Sequence, residues 1–441
     1  MNSPLLLAAA FAAVAIPAFA SASAVGDCQI GAYRLTDGSM VDIAPSDGDT
    51  LRWRRFDGTT GALRKAADGA WIGAYGWTDR KDGTVVTFSP CPAETIAFNG
   101  LAGRRIGFDV TNADFEDRGT KLVGRLVMPK GAGRVPVAVL IHGSENDSAL
   151  DFYSLQRMLP AEGVGVFVYD KRGTGASGGK YTQDFDLLAD DAVAAMHEAR
   201  KLAGARAGRV GYQGGSEGGW VAPLAATRAS VDFVVVCFGL AVSPIEEDRE
   251  EIRLEMSLAG HNRADIAKAL EVGEAAEAIM ESGFTKGFER FDALRAKYRG
   301  EPWYKDLRGN LTRVFLPLNE AQLKAMGAKY NWGTPMNYDS MPVLRAVAAP
   351  QLWILGGEDL DAPSAETARR LDGLAAQGRP ITVAIFPHAE HGMTQFETGP
   401  DGKRVSTRYA PGYFAMMADY IRDGRLAGPY GDSTISRPKG R

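Results

Sequence analysis

Between residues 25 and about 100 the chain alternates short apolar segments with turn signals at nearly regular spacing. Leu51 to Phe56, Ala70 to Tyr75 and Thr84 to Phe88 are separated by Asp-Gly pairs at 37–38, 47–48, 57–58, 68–69 and 82–83. Both residues of such a pair tolerate positive φ, so the spacing predicts hairpins and the region reads as an antiparallel β-meander. Its aromatics, Trp53, Phe56, Trp71, Tyr75 and Trp77, are read as the filling of a small sheet or barrel rather than as a ligand cage.

From about Arg104 the period changes. Residues 105–110 and 121–128 form a strand pair, and Val135 to Ile141 is a continuous apolar run of the kind buried on both faces. Strand-like runs (164–169, 209–212, 232–238) then alternate with helical ones (184–202 and from Trp220), which predicts a mostly parallel, doubly wound α/β sheet. Residues 244 to 340 interrupt the alternation with helical, charged sequence. They open at Ser243-Pro-Ile-Glu246, the order of a capping box with proline at the first helical position. Strand patterns resume at 351–355 and 380–386, and a last helix is expected near 410–421. The predicted organisation is a signal peptide (1–24), an antiparallel β domain (25–103), an α/β core in two parts (104–243 and 341–427) split by a helical cap (244–340), and a loose tail (428–441).

The signal peptide rests on the apolar run from Leu5 to Ile16, followed by Ala18-Phe-Ala20 and Ala22-Ser-Ala24, both of the small-x-small type cleaved by signal peptidase. The run is too short to span a membrane, so an exported protein, periplasmic or secreted and without a transmembrane anchor, is expected. Of three cysteines, Cys28 and Cys91 bracket the first domain and would form a disulfide in an oxidising compartment, contributing about 4 kcal/mol. Cys237 lies in an apolar strand and reads as a small hydrophobe. A net charge of −4 with no basic stripe argues against nucleic acid as a partner. No Cys/His cluster has ligand spacing, so no metal and no cofactor are expected. The oligomeric state is left open.

The candidate chemistry centres on Gly214-Gly-Ser-Glu-Gly218, a G-x-S-x-G nucleophile elbow between a strand and a helix. A sharp strand-to-helix turn needs glycines and pushes the Ser216 hydroxyl out above the sheet. The serine then needs a base and an acid to orient that base. Of five histidines, His197 and His261 read as surface residues and His142 as structural. His391, after the last strand in Pro387-His-Ala-Glu-His-Gly-Met393, is the candidate base, with His388 as runner-up. In Gly356-Gly-Glu-Asp-Leu-Asp-Ala-Pro363 the candidate acid is Asp359, with Asp361 the alternative and Glu358 third. Oxyanion donors are expected at the backbone N–H groups of Glu217 and of Ser144, in the loop after the first core strand.

His142-Gly-Ser144, Tyr169-Asp-Lys-Arg-Gly-Thr-Gly-Ala-Ser177, Gly215-Ser-Glu-Gly-Gly219 and Gly356-x-x-Asp359-x-x-Ala-Pro363 together resemble the α/β-hydrolase superfamily over about residues 104–425. The nearest likeness is to bacterial esterases and to the serine aminopeptidase-like or dienelactone hydrolase-like group. Where many members carry histidine before the nucleophile, this chain has Gly215. The segment from Asp170 to Gly175 lacks both phosphate-loop patterns, and the resemblance makes it a structural loop at the site's rim. What these observations imply is an exported serine hydrolase of small carboxylic esters. A peptidase that removes N-terminal residues is the alternative, in which Glu145, Glu217, Glu246 or Glu247 would receive a substrate ammonium, although Glu246 and Glu247 also suit a helix N-terminus. A catalytically silent binding protein on the same fold is the rival from another class. Cap aromatics Trp303, Tyr304, Tyr330 and Trp332 suggest a partly apolar pocket or a cap core.

Overall fold

The computed structural model describes residues 28–330 and 332–438. The stretch read as a signal peptide lies outside them, as does the side chain of Tyr330.

Eight antiparallel strands form the first domain: β1 (Gly31–Leu35), β2 (Met40–Pro45), β3 (Leu51–Arg55), β4 (Thr60–Lys65), β5 (Trp71–Ala74), β6 (Lys81–Phe88), β7 (Thr95–Phe98) and β8 (Leu101–Arg105). Because β1 also pairs with β8, the meander closes into a barrel and leaves no free edge. The Asp-Gly pairs work differently from the expectation. At 37–38, 57–58 and 68–69 only the glycine takes positive φ, after a turn in which its N–H bonds to the carbonyl three residues back. These are type I turns completed by a left-handed glycine, the usual longer hairpin connection. The fifth pair, Asp82-Gly83, lies inside β6, and the tight two-residue turn of this domain is Asn99-Gly100, with both residues at positive φ. Trp53 and Trp71 do fill the barrel, whereas Tyr75 is exposed and Phe56 and Trp77 reach outward to the second domain. Cys28 and Cys91, 63 residues apart in the chain, are bonded and tie the entry to the barrel to the segment before β7.

The second domain is built on a nine-stranded sheet. Its strands are β9 (Phe108–Asp117), β10 (Thr120–Pro129), β11 (Val135–Ile141), β12 (Gly165–Tyr169), β13 (Ala207–Gly215), β14 (Val234–Cys237), β15 (Gln351–Gly356), β16 (Ile381–Phe386) and β19 (Thr434–Ser436), in the order β19-β16-β15-β14-β13-β11-β12-β10-β9. The six strands from β12 to β16 run parallel, and β14 and β15 are buried along their whole length because helices cover both faces. On one face pack α3 (Phe185–Ala203), α4 (Gly218–Arg228) and α11 (Ser364–Ala376). On the other lie α1 (Ala149–Phe152), α2 (Leu155–Ala161) and α12 (Tyr413–Asp423), whose Phe414, Met417 and Ile421 form one apolar stripe. This is the expected α/β-hydrolase core.

Residues 428–441 do not behave as a loose tail where they are described. Tyr430 is buried, and β19 adds an antiparallel edge to β16, satisfying backbone groups that would otherwise face water. A second hairpin, β17 (Thr394–Thr398) and β18 (Arg404–Tyr409), carries no clear strand periodicity because its two strands bury neither face completely. It forms the seat of the barrel. The Trp77 amide donates to the Ser406 carbonyl, the Tyr409 amide donates to the Gly58 carbonyl, and Asp42, wholly buried, takes a two-pronged bond from Arg157 of α2.

The cap comprises α5 (Pro244–Leu258), α6 (Arg263–Glu281), α7 (Phe288–Tyr298), α8 (Asn310–Phe315) and α9 (Glu320–Tyr330), and α10 (Ser340–Ala346) returns the chain to the sheet domain, where Leu344 joins the core. The capping box at Ser243 forms as read: Glu246 N–H donates to the serine hydroxyl and the Ser243 amide donates to the Glu246 carboxylate. Trp303 belongs to the cap's own core with Phe291 and Phe315 rather than to a pocket. Among the described residues no helix is long and apolar enough to cross a membrane.

Candidate active site

The strand read from Arg209 begins two residues earlier and runs to Gly215, so the turn into α4 is abrupt. Ser216 sits in it at φ 52°, a left-handed conformation costing about 1–3 kcal/mol that the surrounding structure must hold. Two neighbours demand glycine by crowding. A Cβ at Gly214 would lie 2.5 Å from the Gly218 carbonyl oxygen, and one at Gly215 would lie 2.7 Å from the Phe238 ring. The space that histidine takes in the resembled families is therefore filled by Phe238, whose ring meets that of His391 edge to face at 5.0 Å between centroids. Pattern reading missed Phe238; the one hint was the glycine before the serine, which implies bulk from elsewhere.

The loop after β16 brings His391 over the elbow. Its Nε2 is 3.2 Å from Ser216 Oγ and its Nδ1 is 3.0 Å from Asp359 Oδ2. The other carboxylate oxygen of Asp359 accepts from the amides of Asp361 and Ala362 at 3.0 and 2.7 Å, which fixes the acid's orientation in a buried position. Among the alternatives, Asp361 contributes its backbone amide to that anchor and is itself exposed. His388 and Glu358 pair with each other at 3.3 Å, on the exposed side of the same loops. The remaining histidines fall where they were read: His142 buried, His197 exposed, and His261 paired with Asp306 in the cap.

A cavity of about 60 Å³ adjoins the serine, lined by Ser144 and Glu217 from the core and by Glu247, Leu311 and Met336 from the cap. Both residues expected to supply oxyanion amides thus face the same space. The Gly143 amide does not, since it donates inward to Glu145 Oε1 at 3.2 Å and to Tyr153 Oη at 3.3 Å.

Electrostatics around the imidazole are unusual. Burial opposes a charge on His391, but the carboxylates of Asp359, Asp361 and Glu247 outweigh it and raise the pKa to about 9. Burial, reinforced by Asp361, Asp359 and Asp248 and opposed by His391, holds Glu247 well above the usual carboxylate range. Of the two acids at the start of α5, Glu246 does serve the helix end and pairs with Arg370, whereas Glu247 turns into the cavity. A base must be neutral to accept a proton, so kcat/KM should rise with pH through a midpoint near 9 rather than near the ordinary 6.5. Glu247→Gln should move that midpoint toward 6.5. A pH profile of ester hydrolysis checks both, and an unmoved midpoint in the variant would remove Glu247 from the account.

Residues 118–391, well over half of the chain, match the family model described as X-Pro dipeptidyl-peptidase (S15 family). No curated protein matches the chain significantly. Among solved structures, an esterase of Pyrococcus furiosus aligns at 16% identity over 64% of this chain and 84% of its own, with a TM-score of 0.38. The acylaminoacyl peptidase of Pyrococcus horikoshii aligns at 15% over 80% of this chain and 52% of its own, with a TM-score of 0.41, so this chain spans about half its length. Est1E of Butyrivibrio proteoclasticus, solved with ferulic acid bound, aligns at 15% over 71% and 97%, with a TM-score of 0.40.

Proposed function

The chain belongs to the X-Pro dipeptidyl-peptidase (S15) family, a clade of the α/β-hydrolases, and is a serine hydrolase of esterase or peptidase type; on that premise we propose that it cleaves carboxylic esters through an acyl-enzyme on Ser216. Ser216 Oγ attacks the carbonyl carbon as His391 Nε2 takes its proton, Asp359 holds the imidazole in the tautomer whose Nδ1–H faces the acid, and the amides of Ser144 and Glu217 receive the oxyanion. His391 then returns the proton to the leaving alcohol, and water repeats the sequence to release the acid. The observation that carries this reading is the continuous hydrogen-bonded line from Ser216 through His391 to Asp359, with the nucleophile in the left-handed turn of an elbow.

A second reading, removal of N-terminal residues from a peptide, is favoured by one feature of the cap. Glu247 lines the cavity, and one helical turn on Glu251 is 5% exposed, with an Oε1 that finds no hydrogen-bond partner among the described residues. A substrate ammonium would satisfy such acids. Fluorophosphonate labelling followed by peptide mapping tests the nucleophile, and absence of an adduct on Ser216 in folded protein would favour the silent scaffold instead. Comparing p-nitrophenyl esters with aminoacyl-prolyl arylamides separates the two substrates, since failure on every arylamide removes the peptidase. Export belongs to the same proposal, supported by the N-terminal apolar run and the Cys28–Cys91 bond. Recovery of full-length, uncleaved protein from the cytoplasm of its host would overturn it.

A further inference from the structure

The segment from Asp170 to Gly175 has no part in the chemistry described so far, yet it places a buried lysine directly behind the elbow. Lys171 is 2% exposed. Its Nζ donates to the Gly143 carbonyl at 2.7 Å, lies 3.1 Å from Glu217 Oε1 and sits over the ring of Tyr181, 4.7 Å from its centroid. Its backbone is held as firmly: the amide is 3.0 Å from His142 Nε2, and its carbonyl accepts from both the amide and the hydroxyl of Thr174. The preceding Asp170 accepts from Ser148 Oγ and from the amides of Leu150 and Ala176, while Arg172 pairs with buried Asp191. A lysine so fixed cannot serve as a mobile surface charge.

The two groups it touches are the carbonyl of the peptide that carries the Ser144 N–H and the side chain of Glu217, whose own N–H is the other expected donor. The Gly143 carbonyl and the Ser144 N–H are opposite ends of one planar trans peptide, so a bond that draws the carbonyl toward Lys171 turns the Ser144 N–H the other way. The next carbonyl, of Ser144, is held by the Tyr181 hydroxyl, which fixes the far side of the same residue. Glu217, whose amide is the other expected donor, is tied by its side chain to the same ammonium. Burial drives the Glu217 carboxyl up to about 7, and the Lys171 ammonium beside it opposes the rise.

We propose that Lys171 is the positioning residue of the oxyanion hole: one ammonium anchors the Gly143 carbonyl and the Glu217 side chain so that the Ser144 and Glu217 amides converge beside Ser216. This rests on the acyl-enzyme reading above. It predicts that losing the anchor weakens binding of the tetrahedral state and leaves binding of the ground-state ester unchanged, because the amides stay present but lose their aim.

The test uses Lys171→Met together with Glu217→Gln, since methionine alone would strand a buried carboxylate, and compares the double variant with Glu217→Gln alone, in which the carbonyl anchor remains. Between them kcat on a p-nitrophenyl ester should fall about 10²- to 10³-fold with KM within about threefold, and affinity for a trifluoromethyl ketone, which binds as a tetrahedral adduct, should fall by a similar factor. Melting temperatures of the two variants should agree within a few degrees. A double variant equal to Glu217→Gln in kcat and in ketone affinity overturns the proposal, as does a loss confined to KM. Wild-type protein that takes no fluorophosphonate at Ser216 sinks the acyl-enzyme reading itself. A labelled wild type beside a double variant equal to Glu217→Gln sinks the role of Lys171 alone.

Discussion

Ser216→Ala should lose about 10⁶-fold in kcat toward p-nitrophenyl esters and all fluorophosphonate labelling, with the fold intact. Alanine carries a Cβ as serine does, so the left-handed backbone at 216 costs the same in both, and the lost hydroxyl leaves only His391 Nε2 without its partner. The size of the effect follows from interdependence. Without the nucleophile the imidazole has no proton to take, and His391→Ala should cost about as much, while the double variant should cost hardly more than either. The residual rate would come from the oxyanion donors and binding alone. Kinetics of the three variants check this, and a Ser216→Ala enzyme within about tenfold of the wild type would move the nucleophile elsewhere.

The second large effect is expected at Asp359. Its Oδ1 accepts from two backbone amides, so an asparagine there must keep its oxygen on that side and turn its NH₂ toward His391 Nδ1. Such a donor forces the imidazole to carry its proton on Nε2, where it can no longer accept one from Ser216. Asp359→Asn should therefore lose about 10⁴-fold in kcat at neutral pH with its geometry unchanged. Removing this charge also removes the main support for a charged His391, and the pH midpoint of the residual activity should fall from near 9. A variant that keeps both its rate and its midpoint would give the role to another acid, of which Asp361, whose charge also acts on His391, comes next.

Much of this arrangement is legible along the chain because it is local. The elbow is five consecutive residues, the capping box four, and the continuous apolar runs at 135–141, 234–237 and 351–355 report strands buried on both faces wherever helices cover a sheet. Chain order alone put a serine, an acid and a histidine each after its own strand, and parallel strands deliver their following loops to one end of the sheet. The Asp-Gly spacing likewise announced hairpins, though not their type, since the glycine alone takes positive φ in all four that connect strands.

What lay beyond the sequence depends on contacts between residues far apart in it. Closure of the barrel needs β1 to meet β8, and the edge strand β19 needs β16; neither pairing leaves a mark in the periodicity of either partner. Phe238 filling the space beside Gly215, Glu247 turning toward His391 while Glu246 caps its helix, and Lys171 reaching both Gly143 and Glu217 are decided by how separate elements pack. The sequence by itself determined the α/β core, the cap insertion and which serine, histidine and carboxylates could act, because those follow from local conformation and the order of strands. Only the tertiary structure decided which acid faces the imidazole, how far that imidazole's pKa rises and what holds the oxyanion loop, because burial and charge act through space and not along the chain.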